Sequence, residues 1–181
     1  AEQRVIRFTI PAPPGTKLNP ESVNAVVSPD GRRVAFIAAE PGRPERLWVR
    51  DFDSVTSRVL EGTDKASMPF WSPDSRSIAF FANGLLCRIA SEGGPVQRIT
   101  DAPGGRGGDW SETGVILFAP FANGPLHVVP QSGGASSAAT EVDQKIGETG
   151  HRFPQFLPGG RKFLYAPQGP RSDRAWQEHT F

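Results

Sequence analysis

One nine-residue phrase recurs along this chain and limits what it can fold into. SPDGRRVAF at 28–36 returns as SPDSRSIAF at 72–80, in a shortened form as SETGVILF at 111–118, and as LPGGRKFLY at 157–165. With Pro29, Pro73, Glu112 and Pro158 taken as equivalent, the intervals are 44, 39 and 46 residues. A copy of that length cannot bury its own apolar faces alone, so successive copies must stack and cover one another.

Each copy has the same internal order. An apolar or aromatic approach comes first: VNAVV, MPFW, GGDW and RFPQF. A polar turn follows in which Pro fixes φ, Asp bonds backbone nearby, and Gly31, Gly114 or Gly160 supplies a positive φ. Ser75 holds that place in the second copy, which predicts a less demanding turn there. A strand rich in Val, Ile, Phe or Tyr comes next: RRVAFIA, SIAFFA, VILFA, KFLYA. The third strands are RLWVRDFD, LLCRIAS, PLHVVPQ and, weakly, RAWQEHTF. SRVLEG, PVQRIT and the poorer SSAATEV are the fourth strands.

Several of these strands are apolar without a break, as expected of sheets covered on both faces. Trp71 and Trp110 stand just before equivalent turns and are expected between sheets. The predicted fold is all-β: a β-propeller of four-stranded antiparallel blades, with units at about 22–62, 66–100, 106–142 and 151–181. The alternating RVIRFTIP at 4–11 reads as a strand, and in a ring closed within the chain it would complete the last blade as its outer strand. Three arrangements meet this reading: a ring closed within the chain, an arc that pairs with a second copy as a homodimer, and an arc that is one part of a longer chain.

The WSPD/VSPDG-x-x-[VI]-A-F signature resembles the TolB-type, WD-repeat-like β-propeller family over about residues 4–166. Longer stretches, GTDKASMPFWSPDSRSIAFFANG, GGPVQRITDAPGGRGGDW and HRFPQFLPGGRKFLYAP, look like the propeller segment that follows the kinase domain in bacterial membrane-anchored serine/threonine kinases. That resemblance implies an extracytoplasmic, periplasmic location. Glu112-Thr113 departs from the usual Pro-Asp, and the tail PRSDRAWQEHTF departs from the repeat. The same blades also occur in peptidases, so the resemblance specifies a fold more sharply than an activity.

Composition narrows the function classes. A net charge of +1 provides no field to gather a polyanion, so nucleic acid is not an expected partner. No apolar run approaches the ~18 residues of a membrane span, and AEQRVIRF lacks the basic-then-apolar pattern of a secretion signal. The single Cys87, in the apolar LLCRIA, makes no internal disulfide and reads as a small core residue.

Catalytic patterns are not found. His127, His151 and His179 have no metal-ligand spacing, and there is no G-x-S-x-G elbow. The glycines of PGGRGGDW match neither phosphate-loop pattern and read as a tight connection between blades. DFDS at 51–54 is at most a weak chelator. No catalytic residue, metal or cofactor is expected, and four Trp with one Tyr are few for a sugar-binding propeller.

What remains is surface recognition by the loops that lead from one blade's outer strand to the next blade's inner strand, about 62–69, 101–109 and 143–152. They carry Asp64, Lys65, Asp101, Arg106, Asp109, Asp143, Lys145, Glu148, His151 and Arg152. This mixture suits a protein or peptide, and Asp64, Lys65, Arg106, Asp109, His151 and Arg152 are the predicted partner-binding residues. Arg106 is the first choice of hot spot because flanking glycines let a partner come close. A solvated surface with internal ion pairs is the bland alternative. The function expected is a non-catalytic interaction or sensing module of a bacterial envelope or signalling protein; the alternative is the gating propeller of a peptidase whose hydrolase domain lies outside this chain.

Overall fold

The computed structural model describes residue 9 and residues 11–18, 25–170 and 176–180. Four antiparallel sheets follow one another along the chain. The first contains β1 (Lys17–Leu18), β2 (Ala25–Val27), β3 (Arg33–Ala39), β4 (Glu45–Asp51) and β5 (Ser57–Val59), with β1 and β2 both pairing with β3. The second runs β6 (Ser67–Trp71), β7 (Ser77–Ala82), β8 (Leu85–Ala90), β9 (Gln97–Asp101). The third runs β10 (Gly108–Trp110), β11 (Val115–Phe118), β12 (His127–Pro130), β13 (Ser137–Ala138). In the fourth, β14 (Gly150–Phe156), β15 (Lys162–Gln168) and β16 (Gln177–Thr180) make three described strands, one short of the expected four. SSAATEV therefore contributes only two residues of strand, whereas RAWQEHTF supplies a real one. The run 4–11 lies almost wholly outside the described residues.

The copies share one register. Val27 pairs with Val34, Trp71 with Ile78, Trp110 with Ile116 and Phe156 with Phe163. Between these partners, the turn closes on a buried serine. Ser72 Oγ donates to Asp74 and accepts the Ser77 amide at 2.9 Å, and Ser28 repeats both bonds with Asp30 and Arg33. Ser111 keeps the amide bond, to Val115, with Thr113 in place of the acid. Ser75 does not relax its turn, contrary to expectation. Its φ of 60° lies in the same left-handed region as Gly31 and Gly114. The cost of about 1 kcal/mol is offset because its hydroxyl accepts the Asp30 amide and its carbonyl accepts Arg33 Nη2.

Strand alternation explains the unbroken apolar runs. Ile78 and Phe80 of β7 face the first sheet, in a cluster with Ala35, Ile37, Leu47 and Val49. Ala79 and Phe81, on the opposite face, join Trp110, Ile116 and Phe118 of the third sheet. Leu117 then turns to Phe163 and Tyr165 of the fourth. Three apolar seams result, and each middle sheet has both faces buried. Trp71 and Trp110 lie buried in the first and second seams, with Trp71 Nε1 bonded to the Val26 carbonyl and Trp110 Nε1 to Gln131. Cys87 is buried as expected, and burial pushes its thiol pKa up.

Candidate protein interface on the loop face

In each sheet the repeat turns lie at one end of the strands. The connections from second to third strand, and from one sheet to the next, lie at the other end, which forms a loop face. Backbone bonds tie these loops together: Gly104 N to Pro120 O, Arg106 N to Ala119 O, Gly124 N to Thr149 O, and His151 N to Gly124 O. The Phe153 amide donates to the Arg106 carbonyl at 3.0 Å and joins β14 directly to the loop that leads into β10.

The predicted residues separate into two groups. Asp64 and Lys65 are exposed beside the seam of sheets one and two, and the Lys65 amide bonds the Glu45 carbonyl. Arg106 and Arg152 are half-buried where sheets three and four meet. Arg106 Nη1 donates to the Gly105 carbonyl at 2.8 Å, and Arg152 holds the Ala122 carbonyl with both Nε (3.0 Å) and Nη2 (2.6 Å). The anchoring loops touch, since a Cβ on Gly104 would lie 3.0 Å from the Ala122 nitrogen. The two guanidinium groups are therefore anchored on carbonyls of touching loops.

His151 lies inside this seam and not on its surface, and Asp109 is half-buried in it. Only 1% of His151 is exposed; its ring contacts Thr140 Oγ1 at 2.8 Å and Glu148 at 3.2 Å, and it packs 4.4 Å from the Tyr165 ring. Asp109 accepts the Trp110 amide on one oxygen and the Phe156 amide on the other, at 2.6 Å. Burial raises its pKa, and the two amide bonds oppose that rise. Asp143 caps the short 3-10 turn Gln144–Ile146 by accepting the Lys145 amide, and Asp101 pairs with Arg98.

The glycine loop is the tight connection expected. A Cβ on Gly105 would fall 2.1 Å from the Phe81 ring, and one on Gly108 2.7 Å from Phe70. Among the described residues, no group of three or more His, Cys, Asp or Glu is placed to hold a metal.

Two aromatic residues that sequence reasoning passed over belong to the same surface. Phe121 is 46% exposed beside Ala122, and Phe153 is 43% exposed after Arg152. Phe121 lines a groove of about 550 Å³ between the outer edges of sheets two and three and meets the His127 ring edge-on. Phe153 sits at a β-bulge with φ 51°, just before Pro154; Met68 before Pro69 is the matching bulge in the second sheet, with φ 46°. Pro inside an innermost strand was the available signal, because it marks a bulge or an edge. For Phe121 the signal was a large aromatic within the turn-forming segment APFANG.

No family model matches the chain. The Bacillus subtilis protein YuxL, described as an uncharacterized peptidase, is 26% identical over 105 aligned positions, covering 47% of this chain and 16% of YuxL. Among solved structures, an Agrobacterium tumefaciens protein described as a TolB superposes with a TM-score of 0.72 at 18% identity, covering 87% of this chain and 61% of that one. A puromycin hydrolase superposes with a TM-score of 0.57 at 19% identity, covering 85% of this chain and 26% of the hydrolase. The chain thus spans less than two thirds of the length of each of these three proteins. The fold is that of a β-propeller, with blades of the kind found in the TolB-type structure.

Proposed function

We propose that this chain is a non-catalytic propeller module, a protein-interaction or sensing part of a bacterial envelope or signalling protein, and that it binds its partner through the loop face. The sequence motifs resemble the propeller segment of membrane-anchored serine/threonine kinases, and that resemblance supports an extracytoplasmic location. The observation that carries this reading is that half-buried Arg106 and Arg152 and exposed Phe121 and Phe153 all lie on that face. Arg and aromatic side chains supply most of the energy at protein interfaces. Asp64 and Lys65 extend the surface toward the first seam.

The test is a photo-reactive residue placed at Ala122 on the loop face and, separately, at Asp30 among the opposite turns. Adducts formed in cells from Ala122 alone, and lost when Arg106→Ala is added, support the reading. Equal adducts from both ends, or robust turnover of peptide or protein-kinase substrates by the chain itself, would refute it.

A second reading is favoured by the likeness to YuxL and to puromycin hydrolase: the chain would be the gating propeller of a peptidase. The adjoining coding sequence distinguishes the two. A kinase domain upstream supports the first reading, and a Ser-Asp-His hydrolase downstream supports the second.

A further inference from the structure

We infer that the element bound where sheets three and four meet is an acidic peptide segment that also carries a large apolar side chain. This inference rests on the loop face being the binding surface.

Four half-buried arginines among the described residues lack a carboxylate partner. Arg50 bonds the Ser54 and Thr9 carbonyls, and Arg88 bonds Gln97. The two at this seam, Arg106 and Arg152, alone are anchored on touching loops. Arg33 faces Glu92, Arg46 faces Glu40 and Glu61, and Arg58 faces Asp51 and Glu92. Arg106 and Arg152 are also half-buried, yet neither has a carboxylate within ion-pair distance among the described residues. Their bonds go to carbonyl oxygens, which orient a guanidinium without neutralising it. Each retains N–H groups with no acceptor among the described residues, Nε and Nη2 in Arg106 and Nη1 in Arg152. The carboxylates of the seam are engaged elsewhere: Asp109 holds two backbone amides, and Glu148 holds the Asp143 amide and the His151 ring. Two oriented, partly desolvated cations on touching loops match carboxylates at close quarters.

The aromatics beside them make a peptide the occupant in preference to a phosphate polymer. Phe121 and Phe153 are both substantially exposed, and in the chain they adjoin Ala122 and Arg152 respectively. Phe153 is held rigidly: its ring and backbone lie against Gly107, where an added Cβ would sit 3.0 Å from the ring, and its φ of 51° is one that bulky residues rarely adopt. A strained, exposed aromatic costs stability that binding can offset. The overall charge of +1 gives no extended field for a polyanion.

The experiment is to pan a random peptide library displayed on phage against the whole chain, then measure a labelled enriched peptide by fluorescence anisotropy. Enriched peptides are expected to carry Asp or Glu beside an aliphatic or aromatic residue. Changing the acids to amides, or making Arg106→Gln with Arg152→Gln, is expected to weaken binding about tenfold or more. Arg106→Lys with Arg152→Lys retains the charge and should recover part of that loss, and rising salt should weaken the wild-type complex. Thermal unfolding and circular dichroism of each variant separate lost binding from lost fold; if the Gln pair unfolds, the peptide's acid-to-amide comparison on wild-type protein decides. No enrichment, enrichment without acidic residues, or equal competition by inorganic phosphate or a nucleic-acid oligonucleotide would overturn the inference. The photo-cross-linking at Ala122 decides separately whether the loop face binds at all.

Discussion

Asp109 shows how little of a side chain's role is set by its type. In sequence it is one more acid in a glycine-rich loop; in the fold it is the clasp between β10 and β14, reaching a residue 47 positions away. Burial makes its charged form costly, so its pKa lies above the ordinary carboxylate value of 3.8. A raised folded-state pKa means that the acid contributes most stability below its unfolded pKa and loses that contribution as pH rises through the folded one. The melting temperature of wild type relative to Asp109→Asn should therefore improve as pH falls from neutral toward about 4. Thermal melts across that range check this, and a gap that stays flat or widens toward neutral pH contradicts it. Asp74 behaves oppositely. Hydrogen bonds from Ser72 and the Arg76 amide lower its pKa, so its contribution is lost only as pH falls below the ordinary value, outside that window. His151 was equally hidden, because its burial depends on Thr140, Glu148 and Tyr165 meeting around it, and no local pattern encodes that meeting.

At the scale of strands and turns the sequence is far more readable. Pro-Asp-Gly chemistry and continuous Val, Ile and Phe runs locate the turn and the second strand of each copy, because both depend on near neighbours. Weak strands are harder to read: β13 is confined to Ser137–Ala138, and the bulges at Met68 and Phe153 interrupt strands that look regular. The connections between sheets are governed by close approach. Gly105 has no room for a methyl group against Phe81, so Gly105→Ala should cost about 2 kcal/mol in urea unfolding, with Phe81→Leu in the same chain recovering part of the loss. An unchanged midpoint would mean that this loop does not lie on the second sheet.

For the whole molecule, the repeat period predicts stacked sheets but not how the series ends. Packing between strands of different sheets joins first to second, second to third and third to fourth. Among the described residues, no strand of the fourth packs extensively on the first. The far face of the first sheet, carrying Val34, Phe36, Ala38 and Trp48, is buried, and Arg50 on the same face donates to the Thr9 carbonyl. Sheets left open at an edge attract partners, so self-association at micromolar concentration is the expected behaviour of an open arc. Light scattering should then show a particle heavier than one 19.5 kDa chain, whereas a compact monomer would indicate closure within the chain.

The seam between sheets three and four is where architecture and candidate site depend on each other, and amide hydrogen exchange followed by NMR tests it most directly. The Phe153 and Phe156 amides, whose acceptors lie in the loop that leads into β10 and in β10 itself, should exchange slowly. In Asp109→Ala the Phe156 amide should exchange faster, while amides of β7 and β8 keep their protection. Exchange of both phenylalanine amides at open-loop rates in the wild-type protein would show that the two sheets do not dock, and the arginine surface built on their contact would go with them.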